Sequence, residues 1–318
     1  MITLEFIYLL MGVMLAGITL VSARDRTNRK RWKNTAFWGM YAATFLFGSY
    51  LPHLASGALV IAMAAVSGVG GLGKGDPDTT TQAERAESAA RLRNRLYVPA
   101  LLIPGLALLG TLTLKKATLH GTPLVDPKQV TVISLGIATL VALAAAVAML
   151  RPRAATPIRE ARRLMDTVGW AAVLPQMLAA LGALFALAGV GKVVSEVVTR
   201  YVPLTTAFAA VVAYALGMAV FTMLMGNAFA AFPVMAAGIG LPLIVGRFGG
   251  DPAVVSAIGM LAGFCGTLMT PMAANFNIVP VALLELPDEK AVIRVQVPTA
   301  LVLLVVNTLL IYFLAFRK

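Results

Sequence analysis

The chain holds one cysteine, Cys265, and two histidines, His53 and His120, in 318 residues. A single thiol forms no intrachain disulfide. Neither His-Glu-x-x-His nor Cys-x-x-Cys occurs, so no metal site is expected. No local Ser–His or Cys–His pair offers a nucleophile and base, so no catalytic residue is assigned and the chain is not read as an enzyme. Acidic residues are also scarce, 14 against 26 Lys and Arg. None clusters inside an apolar run, which argues against a carboxylate proton relay. The glycines at 70–75 are not followed by Gly-Lys-Ser/Thr, so no nucleotide-phosphate loop, and no cofactor, is expected.

What the chain has in excess is apolar surface. It is 59% hydrophobic and 13% charged, with a mean hydropathy of +0.85. That balance, without strand alternation or aromatic girdles, predicts an all-α polytopic membrane protein. The net charge of +12 would suggest nucleic acid in a soluble chain. Here the arginines and lysines lie in short loops between apolar runs, the positive-inside pattern. The expected partner is therefore the lipid bilayer and not nucleic acid.

Apolar runs fall at about 2–22, 35–51, 54–73, 96–114, 129–150, 167–190, 203–225, 227–246, 252–284 and 295–316. They predict nine or ten membrane helices, divided into an N-terminal half at 1–166 and a C-terminal half at 167–318. The first run carries Glu5 and no basic residue before it, so it reads as an anchor with its N-terminus outside. The loop at 24–33 follows, with Arg24, Arg26, Arg29, Lys30, Arg31 and Lys33 against Asp25 alone. It is expected in the cytoplasm, and alternation adds 74–95 and 151–166 to that side. Within 74–95, Thr81 to Arg95 reads as a short surface helix. Ten crossings would leave Arg317 and Lys318 outside. One element that enters and leaves on the same side returns the C-terminus to the cytoplasm, so a re-entrant hairpin is expected between 226 and 284.

A faint repeat links the halves. Leu51-Pro52 leads through Gly57-Ala58-Leu59 to Gly68-Val69-Gly70, and Leu174-Pro175 through Gly182-Ala183-Leu184 to Gly189-Val190-Gly191. In oppositely oriented runs this would be an inverted repeat, the plan of many secondary transporters. Chance in a chain rich in Ala, Leu and Gly is the alternative.

The polar break in the run at 252–284 is the main site candidate. Gly266, Thr267, Thr270, Pro271, Asn275 and Asn277 interrupt it. Non-helical backbone at membrane depth must be buried in protein or line a cavity. Pro271 removes a donor and disturbs the preceding turn, Gly266 is read as a second breaking position, and Thr267, Thr270, Asn275 and Asn277 supply uncharged donors and acceptors. A helix starting there would aim N–H groups at a carboxylate. Helix packing by Gly, Thr and Asn is the plainer alternative. A second candidate surrounds Asn227, beside Gly226, with Pro233 as a helix break; Phe229 and Phe232 read as packing residues or as an apolar wall. A third is Gln176 after Pro175, which breaks the start of the sixth run. Lys192 and Glu196 read as an interfacial pair, with ion coupling as the alternative.

The runs Met225–Gly240 and Cys265–Pro280 resemble the larger subunit of the two-component bacterial 5-oxoproline (pyroglutamate) transporter family, itself similar to the wider ion-transporter superfamily. The resemblance extends over the whole chain. It implies inverted repeats, re-entrant hairpins with polar tips, alternating access of an elevator type, and a smaller membrane subunit encoded alongside. It supplies no substrate residues, so those above are read from the sequence alone. The expected function is secondary transport of a small organic acid, 5-oxoproline first, across the bacterial inner membrane. An ion gradient, Na⁺ or H⁺, would drive it. A non-transporting subunit that stabilises a partner, and a channel, are the alternatives.

Overall fold

The computed structural model describes residues 1–75, 80–119, 122–201, 205–284 and 286–317; His120 and Lys318 lie outside the described residues. The helices are α1 (Leu4–Arg24), α2 (Arg31–Phe47), α3 (His53–Gly68), α4 (Gln82–Leu92), α5 (Tyr97–Leu114), α6 (Val130–Leu150), α7 (Thr156–Val168), α8 (Leu174–Leu187), α9 (Val190–Tyr201), α10 (Ala207–Met225), α11 (Ala228–Met235), α12 (Pro252–Leu268), α13 (Ala274–Leu283) and α14 (Ala291–Ala315). The only sheet among the described residues pairs β1 (Thr118–Leu119) with β2 (Thr122–Pro123), antiparallel. Seven helical stretches among the described residues are long and apolar enough to cross a membrane, and His53–Gly68 and Pro252–Leu268 are shorter apolar helices. The chain is an all-α, multi-pass membrane protein. It divides into two compact units, Met1–Asp166 and Thr167–Lys318.

In the first unit, α1 packs on α2, α2 on α3, and α5 on α6. Helix α1 is 21 residues long, about 31 Å in a straight helix, and its two ends carry different contacts. At the N-terminal end, the Ile2 N–H donates to the Leu124 carbonyl at 2.8 Å and the Asp126 N–H to the Ile2 carbonyl at 3.0 Å. This ties the N-terminus to the segment before α6. At the other end the three basic loops converge. Asn34 donates to the Asp166 carboxylate at 2.9 Å, as does the Trp38 indole at 3.0 Å. Asn34 also exchanges hydrogen bonds with the Gly73 backbone at 2.8 and 2.9 Å, and Asn28 donates to the Gly73 carbonyl at 3.1 Å. Arg162, from α7, reaches Asp25 at 2.6 Å. Burial pushes the Asp25 carboxyl up, but hydrogen bonds from Thr27 and Arg162 outweigh it and hold the group below its usual range. The surface helix expected within 74–95 is α4. Thr81 caps it, accepting from the Glu84 N–H while Glu84 accepts from the Thr81 N–H.

The core of the second unit lies between α10, α12, α14 and the chain after α11, around Tyr214, Met218, Ile239, Ala262 and Ile311. Helix starts follow local chemistry. Thr206 caps α10, and Asp251 caps α12 by accepting from Ala253 and Val254 with Pro252 in the first turn. Gly259, Gly263 and Gly266 line the face of α12 toward α10. A Cβ at these positions would meet Tyr214, Met218 and the Ala219 carbonyl respectively. Small residues at such spacing let membrane helices approach closely.

The two copies of the repeat motif differ locally. Pro52 precedes α3 and Pro175 lies in the first turn of α8. The positive-φ glycine is the last of Gly68-Val69-Gly70, at 75°, and the first of Gly189-Val190-Gly191, at 70°.

Candidate functional site

Two helix breaks meet in the second unit. Helix α10 ends at Gly226, whose φ of 72° is left-handed, and Asn227 then caps α11 by accepting from the Phe229 N–H. Helix α12 ends at Leu268, and α13 begins at Ala274 after a five-residue break that contains Pro271. The breaks touch: a Cβ on Gly226 would sit 2.5 Å from the Met272 carbonyl oxygen. Thr270 bridges them, its hydroxyl donating to the Met223 carbonyl at 3.0 Å and accepting from the Met272 N–H at 3.2 Å. Asn277, fully buried, donates to the Thr267 carbonyl at 2.8 Å and the Thr270 carbonyl at 2.7 Å. The Thr267 carbonyl belongs to the last turn of α12, where helical partners run out; the Thr270 carbonyl lies in the break and also accepts from the Ala273 N–H at 3.4 Å.

The predicted site residues therefore fall into different roles. Thr267, Thr270 and Asn277 build the crossing, since Thr267 spends its hydroxyl on the Phe264 carbonyl at 2.5 Å. Asn227 spends its side-chain oxygen on the cap, and its amide nitrogen has no partner among the described residues. Asn275 is half-buried, with no side-chain hydrogen bond among the described residues. Gln176 is exposed on the first turn of α8 and has no hydrogen bond to the crossing.

Two of the four proposed breaking positions are corrected. Gly266 is helical, the third residue from the end of α12. Its importance is close approach, because a Cβ there would strike the Ala219 carbonyl. Pro233 lies inside α11. The chain runs on from Ala236 to Arg247 as a π-helix containing Pro242, so the helical path does not end at Pro233. Pro271 does lie in a break, and Pro175 at a helix start.

Polar groups without hydrogen bonds remain at the crossing. The helices α11 and α13 both begin there, so two positive dipole ends converge. The first two N–H groups of α13, on Ala274 and Asn275, carry no hydrogen bond among the described residues. Of the buried oxygens without a hydrogen-bond partner among the described residues, two lie beside the crossing, Asn277 Oδ1 and Thr222 Oγ1. A row of rings spans the elements: Phe229 lies 5.8 Å from Phe264, which lies 6.4 Å from Phe276. Phe229 and Phe276 are exposed. The crossing thus holds N–H donors of the kind that suit an anion, buried acceptors of the kind that suit an N–H, and a row of aromatic rings.

Sequence reasoning missed Thr222, Phe264 and Phe276. Thr222 had a readable signal, since it lies one helical turn before the left-handed Gly226. The rings had none, because nothing local distinguishes them from packing residues.

Replacing Asn277 tests the construction of the crossing. Asn277→Ala is expected to cost about 1–3 kcal/mol, because it orphans the Thr267 carbonyl and leaves the Thr270 carbonyl only the long bond from the Ala273 N–H. Asn277→Asp keeps the volume and loses the two-donor amide, so it should cost at least as much. Thermal unfolding of the purified variants in detergent measures both.

Residues 5–316 match the family described as "Protein of unknown function (DUF979)", and the chain belongs to it. No curated protein and no solved structure matches the chain.

Proposed function

We propose that this DUF979 chain is the substrate-binding subunit of a secondary transporter for a small organic acid, with 5-oxoproline as the substrate that best fits. The observation that carries this reading is the meeting of two helix breaks, with two helix N-termini and unpaired polar atoms at the junction. Broken helices whose N-terminal halves face an anion are a transporter device. The carboxylate of 5-oxoproline would take the N–H groups of Ala274 and Asn275. Its lactam N–H would donate to Asn277 Oδ1 or Thr222 Oγ1, and its lactam C=O would accept from Asn275 or Asn227. The five-membered ring would lie on the Phe229–Phe264–Phe276 row. The resemblance of Met225–Gly240 and Cys265–Pro280 to the 5-oxoproline transporter family supports the same substrate and adds a smaller membrane subunit as partner.

In this reading the protein sits in a bacterial inner membrane with its N-terminus outside and its basic loops in the cytoplasm. An ion gradient supplies the energy, Na⁺ or H⁺, and carbonyls freed at the breaks offer a cation its oxygens. A non-transporting subunit is the competing reading, favoured by the use of Thr267, Thr270 and Asn277 in internal hydrogen bonds.

Proteoliposomes holding the chain and its partner subunit separate these readings. Labelled 5-oxoproline should accumulate above its external concentration when an ion gradient is imposed. Accumulation that stops at equal concentrations indicates a channel. Uptake equal to that of empty liposomes leaves the chain without a transport role for this substrate.

A further inference from the structure

The loop between α1 and α2 forms a concavity of about 650 Å³ lined by Arg24, Arg26, Arg29 and Arg31, with Ala23 and Asn28. The cations of this loop divide into two groups. Lys30 and Lys33 donate to the backbone carbonyls of Gly70 and Val69. Asp25, the only acid in the loop, is turned away toward Arg162 and Thr27. The four arginines make no ion pair with a carboxylate among the described residues. Arg24, Arg26 and Arg29 are exposed, and Arg31 is half-buried.

Four like charges within eight residues repel one another. A floppy loop would spread them apart, but this loop is fastened. Asn28 and Asn34 hold Gly73, and Arg162 holds Asp25 at 2.6 Å. The guanidinium forks are therefore collected in advance around one space. Helix α2, 17 residues long, starts at Arg31, so its positive dipole end adds to the same field. Planar multidentate forks beside a helix start suit phosphate oxygens.

The surroundings are apolar. Trp32 is 65% exposed beside Arg31, whose guanidinium lies 5.1 Å over its ring. Leu20, 59% exposed, lies one turn before Arg24 on the same face of α1. Cationic forks flanked by exposed apolar side chains at the end of a membrane helix match a molecule with a phosphate head and hydrocarbon tails.

We propose that the Arg24–Arg31 concavity binds a phosphate-bearing anion, supplied by the headgroup of an anionic phospholipid. The buried contacts of Asp25, Asn28 and Asn34 act as positioning groups that keep the arginines together.

The full chain, purified in neutral detergent, is melted with phosphatidylglycerol, phosphatidylcholine or inorganic phosphate added, since a ligand of the native state raises its stability. The variant is R24Q/R26Q/R29Q, and K115Q/K116Q/K128Q removes the same charge elsewhere. Phosphatidylglycerol should stabilise the wild type and the lysine variant more than phosphatidylcholine does. In the arginine variant that excess should vanish, its affinity for phosphatidylglycerol falling by roughly a hundredfold. A phosphate-induced shift lost in the same variant, with no phosphatidylglycerol excess, upholds the site and assigns it a soluble phosphate. If the triple variant fails to fold, R26Q and R29Q singly carry the comparison, each lowering the affinity. The proposal is overturned if the wild type responds to neither anion. It is equally overturned if the arginine variants respond as the wild type does, or if the lysine variant loses as much.

Discussion

Arg162→Leu is expected to destabilise the first unit by about 3–5 kcal/mol, the cost of leaving buried charge uncompensated. The Arg162 side chain is 3% exposed and stands between two carboxylates, 2.6 Å from Asp25 and 3.8 Å from Asp166. Leucine fills much of the volume and supplies none of the charge. Asp25 would keep its bonds from Thr27, and Asp166 its bonds from Asn34 and Trp38, but their mutual repulsion would stand unopposed. Thermal unfolding in detergent, with fluorescence from the buried Trp38 contributing to the signal, reads the loss. Asp25→Asn added to Arg162→Leu should recover part of it, because one of the two carboxylates is then neutral. Equal stability of Arg162→Leu and wild type would mean that the three loops are held together by other contacts.

Gly226→Val should be the most damaging change at the crossing. Two penalties fall on one residue. A φ of 72° is left-handed, which costs an L-residue about 1–2 kcal/mol, and a β-branched one tolerates it least. The new Cβ would also stand 2.5 Å from the Met272 oxygen and 2.7 Å from its carbonyl carbon. Those atoms are backbone and cannot swing aside as a side chain would. Overpacking of this kind adds about 1–3 kcal/mol. Gly226→Ala meets the same contact with less bulk and should fall between valine and wild type. The ordering glycine, alanine, valine in melting temperature tests the close approach. A valine variant as stable as the wild type would show that the two breaks do not touch.

Much of the architecture was legible because its signals are local. The apolar runs at 203–225, 227–246 and 252–284 end and begin where Gly226, Asn227 and Asp251 cap α10, α11 and α12. The break after Leu268 was legible from a run too long and too polar for one helix. The convergence of the basic loops was not. Arg162 and Asp25 lie 137 residues apart, and an arginine among loop arginines looks like solvated positive charge. Gly266 was misread for a related reason. A glycine in a membrane helix marks either a break or a close approach, and only the facing Ala219 carbonyl decides between them. Asn275 and Asn277, two residues apart, look equivalent in sequence. The structure separates them, one buried and bonded to the end of α12, the other half-buried and without a side-chain partner among the described residues.

That separation points to the decisive measurement, binding of labelled 5-oxoproline to the purified complex in wild-type and Asn275→Ala forms, with Gln176→Ala as the control. Loss of one ligand hydrogen bond should weaken binding by about tenfold in Asn275→Ala and leave its melting temperature unchanged. Gln176→Ala, altered at an exposed position on α8, should bind as the wild type does. Wild-type affinity in Asn275→Ala, or no specific binding by the wild type, would contradict the assignment of the crossing as the substrate site.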